Sequence, residues 1–284
     1  NDLPLFFYNF VKLENLFIDW KLRFDLLVSG LAVLVTFIGL LITLYSINLS
    51  KNNVINFQIN SYLPLSIFGL LVLISSNNLI QFFLGWYIII LSSYFISNVS
   101  ENKAGIRNVF FENRISDLCF FLSLYFVYTF SNSINFDVIF KSFQIIESKI
   151  TILNKTFSGF QIVIFILFFS FLLRFRQFYI SDSRYDLLKF NSSLYSLILY
   201  GLYFPIGLYF VLRFLTLTHI SLDYSHVILI LGSILSFIFL FLLIRSYNLK
   251  KMFLYIASAQ FSILLIAVGL KLYNAVVFHF FTST

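Results

Sequence analysis

The stretch "IFILFFSFLLRFRQFYI", residues 164–180, is an apolar run of membrane-spanning character that is interrupted by Arg174 and Arg176. A bilayer core of about 30 Å is crossed by about 20 helical residues, because each residue rises about 1.5 Å. Similar runs recur along the chain. Of its 284 residues, 60% are hydrophobic and 11% are charged, and the mean hydropathy is +0.93. This composition is not that of a water-soluble domain and predicts an integral membrane protein.

Eight apolar segments are predicted to cross the membrane as helices, which makes the fold an all-α polytopic membrane protein. Their approximate bounds are 25–48, 61–77, 78–97, 113–130, 157–179, 192–215, 226–245 and 252–271. Only "SSNN" separates the second segment from the third, so these two are expected to form a tight antiparallel hairpin. The last residues, 274–284, are interpreted as the start of a further helix.

The sixth segment is expected to be kinked between Gly201 and Pro205. Proline lacks the backbone N–H that would bond to the carbonyl four residues earlier, and its ring crowds the preceding turn. A straight sixth helix with regular hydrogen bonding through Pro205 would contradict this prediction.

Residues 134–150, "INFDVIFKSFQIIESKI", place charged side chains opposite apolar ones at helical spacing. This pattern is typical of a helix that lies at the membrane interface. A helix packed on neighbouring protein is an equally good interpretation. Because the connecting loops are short and no Gly-, Pro- or Ser-rich linker occurs, residues 1–284 are predicted to form a single transmembrane domain.

The charges and the cysteine exclude several classes of protein. The net charge is +7, and most Lys and Arg residues lie at helix ends, where they anchor helices and contact anionic lipid headgroups. Nucleic-acid binding would need a basic patch in a soluble module, which the sequence lacks. The single cysteine, Cys119, allows neither a disulfide within the chain nor a metal cluster of the Cys type.

The chemistry-bearing residues that remain are charges in or near the predicted spans. The sequence contains no Gly-rich phosphate loop, no histidine pair at metal-ligand spacing and no nucleophile elbow, so no metal site and no catalytic centre are predicted. Ionisable side chains inside a membrane are costly and are therefore functional candidates, although those near helix ends can extend to the interface. The candidates are Arg107, Glu112, Arg114, Asp117, Arg174, Arg176, Lys250 and Lys251.

Six motifs in collinear order resemble subunit 5 of NADH dehydrogenase, the antiporter-like proton-translocating subunit of respiratory complex I. They are "LYSINL", "NLIQFFLGWYIIILSSYFI", "NRISD", "VILILGSILSFIF", "NLKKMFLYIASAQFSILLIAVGL" and "VVFHFFTST". The resemblance extends over nearly the whole chain from about residue 20. Subunits 2 and 4 and the multisubunit cation/proton antiporters share the later motifs, whereas "LYS" and "NRISD" favour subunit 5.

The resemblance implies an antiporter-like fold of two inverted repeats. Residues 25–217 would contain the N-terminal helices with the first repeat, and residues 218–284 would begin the second. The expected partners are other membrane-arm subunits of complex I, a second chain that completes the antiporter fold and starts close to Thr284, and membrane lipids such as cardiolipin. Redox centres belong to other subunits of this family, so no flavin, quinone or iron–sulfur cluster is expected on this chain.

The resemblance also identifies a proton relay that has changed. Tyr87 stands where the family carries a glutamate, Arg174 where it carries the proton-transferring lysine, and Leu199 where it carries a histidine, whereas Asp117 is retained. A phenol keeps its proton near neutral pH, leucine does not titrate, and arginine stays charged where a buried lysine can release its proton. We therefore predict that Arg174 is a fixed charge paired with Asp117.

The sequence thus indicates a divergent, split subunit 5 in the mitochondrial inner membrane, with the proton relay of this half degenerate. Many residues have AT-rich codons, as expected for an organellar genome. One alternative is a structural membrane scaffold of the same complex that does not pump protons. Another is a free-standing cation/proton antiporter subunit.

Overall fold

The computed structural model describes residues 3–13, 16–50, 54–98, 103–142, 149–152, 155–174 and 222–283, together with residues 198, 202, 209 and 213. The chain divides into two compact units. The first comprises Asn1–Glu101 and Asp117–Phe169, and the second comprises Asn102–Ser116 and Ser170–Thr284.

The first unit begins with an antiparallel β-hairpin and continues into helices. The hairpin is followed by three long helices, the larger part of a fourth, a short helix, a second small antiparallel hairpin and most of a further helix. The elements are β1 (Leu3–Leu13), β2 (Leu16–Phe24), α1 (Leu26–Ser50), α2 (Val54–Ile74), α3 (Leu79–Asn98), the larger part of α4 (Lys103–Ser131), α5 (Phe136–Ser142), β3 (Lys149–Ile152), β4 (Lys155–Ser158) and most of α6 (Gly159–Arg174).

The second unit includes three consecutive helices near the end of the chain. They are α7 (Leu222–Arg245), α8 (Leu249–Gly269) and α9 (Tyr273–Ser283). The α8 helix ends at Gly269, and Lys271 then adopts a left-handed backbone conformation with φ 58°. Such a residue ends one helix and allows the chain to start the next in a new direction.

The predicted all-α polytopic fold is confirmed in the described part of the chain. By length and composition, five described helices can cross a membrane: Leu26–Leu49, Asn56–Ile74, Leu79–Ile96, Ser225–Arg245 and Lys251–Gly269. They correspond to the first, second, third, seventh and eighth predicted spans. The fourth begins about ten residues earlier than predicted, at Lys103, and the fifth is present as Gly159–Arg174. The sixth span, with its predicted kink at Gly201 and Pro205, lies outside the described residues apart from four single positions.

The second span differs from the prediction in where it begins. The span is predicted to begin at residue 61, but α2 begins at Val54 and Pro64 lies inside it. A proline is tolerated inside a membrane helix because neighbouring groups compensate for the missing backbone hydrogen bond.

The helix predicted for residues 134–150 is wrong in its length. Only Phe136–Ser142 is helical among its described residues, and Lys149–Ile152 is a strand paired with Lys155–Ser158. The β-branched residues of "KITI" and "KTFS" favour extended backbone, which explains the change from helix to hairpin. Phe136 and Ile139 are buried, so this short helix packs on protein, as the second interpretation of the segment proposed.

The turn between α2 and α3 confirms the predicted hairpin and is itself buried. All four residues of "SSNN", 75–78, are at most 8% exposed. Asn78 caps α3, because its side-chain oxygen accepts the backbone N–H of Gln81 at 2.6 Å, and its side-chain nitrogen donates to the Asp19 carbonyl at 2.8 Å. The β2 strand therefore covers this end of the helix pair.

Glycines set the closest helix contacts in each unit. A Cβ atom added to Gly85 of α3 would lie 2.5 Å from the backbone nitrogen of Leu73 in α2. In the second unit, a Cβ on Gly269 of α8 would lie 2.8 Å from the backbone nitrogen of Leu229 in α7. Each helix pair is in backbone-to-backbone contact at these points, as is common where small residues line helix interfaces in membranes.

Candidate functional site

The contact between α3 and α4 is built from aromatic rings. The ring centroid of Phe83 lies 4.5 Å from that of Phe121 and 5.4 Å from that of Phe120. Trp86 lies 6.2 Å from Phe120, again measured between ring centroids. These distances are those of favourable aromatic pairs. The rings fix the register of the two antiparallel helices.

Tyr87 and Asp117 each lie close to this ring contact along their own helix. Tyr87 lies one turn beyond Phe83 along α3, and its ring stacks on that of Phe83 at 6.2 Å. Asp117 lies one turn before Phe121 along α4. Residues four apart share a helix face. Tyr87, where the resemblance predicts a glutamate, and Asp117, which it predicts to be retained, therefore each lie one turn from the same ring contact.

Asp117 is the most unusual side chain of this unit. It is 4% exposed, and it is the one formally charged residue among the described side chains that are buried. A charge in a membrane interior persists only where protein groups or water compensate it. Tyr87, in contrast, is 36% exposed and offers a phenol that donates and accepts hydrogen bonds.

The structure describes neither the Arg174 side chain nor Leu199, the other two predicted relay positions. Arg174 is the last residue of the helix Gly159–Arg174, and its side chain lies outside the described part of the structure. Leu199, Gly201 and Pro205 also lie outside the described residues. The predicted pairing of Arg174 with Asp117 and the predicted kink therefore stay predictions.

Lys250 and Lys251 occupy the first turn of α8, Leu249–Gly269. The Lys251 side chain is half-buried, whereas that of Lys250 is not described. The N-terminal end of a helix carries partial positive charge, so a lysine here gains nothing from the helix dipole. Both lysines therefore stay predicted candidates for a charge in or near the membrane.

A charged cluster at the end of β2 was missed by sequence reasoning. The Arg23 side chain donates from Nε to Asp25 at 2.8 Å and from a terminal nitrogen to Asp137, which is 114 positions away. The backbone N–H of Arg23 donates to the Ser75 carbonyl at 2.9 Å. This cluster ties the hairpin, the buried turn and α5 together. In the sequence, Asp137 is one of the charged residues of the segment 134–150, and nothing in that pattern links it to Arg23.

We expect the Arg23–Asp137 ion pair to contribute about 0.5–1 kcal/mol to the free energy of unfolding, because Asp137 is 56% exposed and exposed pairs are weak. The measurement is a double-mutant cycle of Arg23→Met and Asp137→Asn, with thermal unfolding in detergent as the readout. The Lys21–Asp19 pair, separated by 2.9 Å and confined to one strand, is the control. A coupling near zero for the first pair would contradict its role as a tie between elements.

No group of three or more His, Cys, Asp and Glu side chains that could hold a metal ion occurs among the described residues. The candidate site in the described part of the chain is thus the buried carboxyl group of Asp117 with the aromatic cluster of α3 and α4 beside it in sequence.

Two family models match the chain. The model described as "NADH:quinone oxidoreductase/Mrp antiporter, TM" matches residues 76–283, which include α3, Asp117 and α7 to α9. The model described as "NADH-Ubiquinone oxidoreductase (complex I), chain 5 N-terminus" matches residues 10–48. Together they extend over most of the described helices.

Proteins of similar sequence include subunits of NADH-ubiquinone and NADH-quinone oxidoreductases. NADH-ubiquinone oxidoreductase chain 5 of Chondrus crispus is 24% identical over 285 residues, covering 97% of this chain and 42% of the relative. The protein of the same name from Acanthamoeba castellanii is 25% identical over 98% of this chain and 41% of its own length. NADH-quinone oxidoreductase subunit L of Rickettsia typhi is 25% identical over 96% of this chain and 42% of its own length. The chain spans about two fifths of the length of these relatives.

Solved structures share the fold. A chain of the membrane-bound sulfane sulfur reductase, an archaeal respiratory membrane complex, superposes with a TM-score of 0.72 at 16% identity, over 98% of this chain and 45% of that one. A chain of the Mrp complex from Dietzia sp. DQ12-45-1b superposes with a TM-score of 0.63 at 12% identity, over 94% of this chain and 29% of that one. The antiporter-like fold is thus shown for this chain.

Proposed function

Because the chain belongs to the NADH:quinone oxidoreductase/Mrp antiporter transmembrane family, we propose that it is a membrane-arm subunit of proton-translocating NADH:ubiquinone oxidoreductase, corresponding to part of subunit 5. The observation that carries the proposal is Asp117, a buried carboxylate on α4 inside the segment matched by the family model. A membrane protein keeps such a charge at a cost, which a scaffold of purely apolar helices would avoid.

In this proposal the proton relay of this segment is degenerate. Of its four relay positions, Asp117 is retained and Tyr87 replaces the family's glutamate. The sequence places Arg174 and Leu199 at the other two positions. A relay needs groups that both accept and release a proton near neutral pH. Among the four, only Asp117 carries a carboxyl group, so ordered water would have to supply the rest of any route.

The subunit would contribute no redox chemistry of its own. Electron transfer and its cofactors would belong to other subunits of the enzyme, and this chain would act as a non-redox part of an oxidoreductase. It would bind no flavin, quinone, iron–sulfur cluster or metal, and no nucleic acid.

The same changes support a second candidate function. With three of four relay positions replaced, the chain would serve as a structural membrane scaffold of the complex that holds neighbouring subunits without moving protons. A free-standing cation/proton antiporter subunit, the third interpretation, has the shared fold and the Mrp antiporter part of the family model in its favour.

We further propose where the protein acts and with what. The multi-pass chain would lie in the mitochondrial inner membrane and contact other membrane-arm subunits of complex I and membrane lipids, cardiolipin among them. Residues 218–284 would begin the second inverted repeat within a single transmembrane domain. We also predict a second chain that completes the fold. Identification of the polypeptide that lies beside α9 in the isolated complex would test this prediction.

The deciding experiment is purification of the tagged protein from mitochondria in mild detergent. We expect it to migrate with a large complex that oxidises NADH, because the membrane helices leave large apolar faces for neighbours or lipid. The α7 span, Ser225–Arg245, illustrates this, since only 22% of its most apolar stretch is buried. An unrelated multi-pass carrier of the same membrane, tagged alike, is the control. Isolation of the chain in a small assembly without NADH oxidation would reject both complex I proposals and leave the antiporter.

A further inference from the structure

Gln81 presents a buried amide without a protein partner. The residue is 1% exposed, and neither its side-chain oxygen nor its side-chain nitrogen forms a hydrogen bond within the described part of the chain. It is the third residue of α3, and its backbone N–H is capped by Asn78. In a complete capping box, a glutamine at this position would bond back to the backbone of the capping residue. Here that return bond is not made.

The hydroxyl of Ser133 is in the same situation beside the same turn. Its oxygen is buried and has no hydrogen-bond partner among the described residues. Ser133 precedes Ile134, whose carbonyl accepts the backbone N–H of Leu79 at 3.1 Å, and Asn78 pairs with Asn135. Gln81 and Ser133 therefore lie within two residues of one hydrogen bond that joins the start of α3 to the segment after α4.

The nature of these groups decides what can satisfy them. An amide and a hydroxyl are neutral, and each both donates and accepts hydrogen bonds. Asp25 and Asp137 both form ion pairs with Arg23, so their charges are already compensated. The two neutral groups therefore suit a neutral ligand better than an ion. Buried polar groups in proteins are nearly always satisfied by protein or by ordered water, and a buried water typically makes about three such bonds.

We infer that Gln81 and Ser133 hold a buried water molecule that bridges the amide to the hydroxyl. The water would complete the cap of α3 and link the buried turn 75–78 to the segment that leads into α5. This site is independent of the proposed function, because it would be occupied whether or not the chain takes part in proton translocation.

The test is a high-resolution cryo-EM map of the protein in its native membrane assembly. We expect density for one water within hydrogen-bonding distance of both side chains. The Ser133→Ala variant should lose that density and lower the midpoint of thermal unfolding by about 2–4 °C. Ser123→Ala is the matched control, because the buried Ser123 hydroxyl already donates to the Phe120 carbonyl at 2.6 Å and needs no water.

A second variant separates hydration from an unpaired amide. If water satisfies Gln81, Gln81→Leu removes bonded groups and lowers the unfolding midpoint. If the amide is truly unpaired, the same change removes a buried cost and raises the midpoint. A raised midpoint, or a map in which the two side chains bond directly with no water between them, would overturn the inference.

Discussion

Replacing Arg174 with Gln is expected to reduce the amount of assembled complex sharply, while the complexes that still assemble move the usual number of protons per NADH oxidised. The sequence places Arg174 at the relay position of the family's lysine, and arginine stays protonated. If it is paired with Asp117, as the sequence predicts, the change to Gln takes the opposite charge away from a buried carboxylate. Breaking a buried ion pair from one side costs about 3–5 kcal/mol.

The control for this experiment is Arg174→Lys, which keeps a positive charge and should preserve most of the assembly. Assembly is measured by native gel electrophoresis and pumping by a pH-sensitive dye in sealed vesicles. Asp117→Asn should cause a similar loss of assembly, and the double variant should be less damaged than the sum of the two. If Arg174→Gln abolished pumping in fully assembled complexes, Arg174 would belong to the proton path and the fixed-charge prediction would be wrong.

Replacing Gly85 with Ala is expected to destabilise the protein by about 2 kcal/mol. The new Cβ would lie 2.5 Å from the backbone nitrogen of Leu73 and 2.7 Å from its Cα, so α2 and α3 would have to separate along the contact. Alanine favours a helix over glycine by up to about 1 kcal/mol, which offsets only part of this cost. Thermal unfolding of the purified protein in detergent measures the change.

Gly39→Ala is the matched control within the same unit. A Cβ at Gly39 of α1 would approach the end of the Ile67 side chain, 2.6 Å from its Cδ1 atom, and that atom can move by a change of rotamer. We expect the stability of this variant to stay within about 0.5 kcal/mol of the parent, because helix propensity balances the small adjustment. Equal losses for both glycines would show that backbone contact does not account for the effect at Gly85.

The membrane spans could be predicted because their signal is local. The apolar run of Leu26–Ser50 is long enough to cross a bilayer by itself, and the short "SSNN" segment leaves its flanking helices no arrangement but antiparallel. Helix starts were less accurate, as the early beginnings of α2 and α4 show, because polar residues such as those of "VINFQIN" prolong a helix beyond its apolar part.

The two hairpins were not predicted, and the reason is also physical. Strand pairing depends on a partner segment, so the alternation of Leu16–Phe24 has meaning only once Leu3–Leu13 lies beside it. The same holds for residues 149–158, where helical spacing of charges competed with β-branched residues and the pairing decided the outcome.

The sequence by itself determined that this protein is a multi-pass membrane protein of an antiporter-like family, and it singled out Asp117 as a charge to explain. Hydropathy and motif order suffice for this, since both are read along the chain. Only the tertiary structure decided that Phe83 of α3 packs on Phe121 of α4, that Arg23 joins Asp137 across 114 positions, and that Gln81 is buried without a protein partner among the described residues. These facts depend on which distant side chains meet when helices pack, and no local pattern in the sequence records that choice.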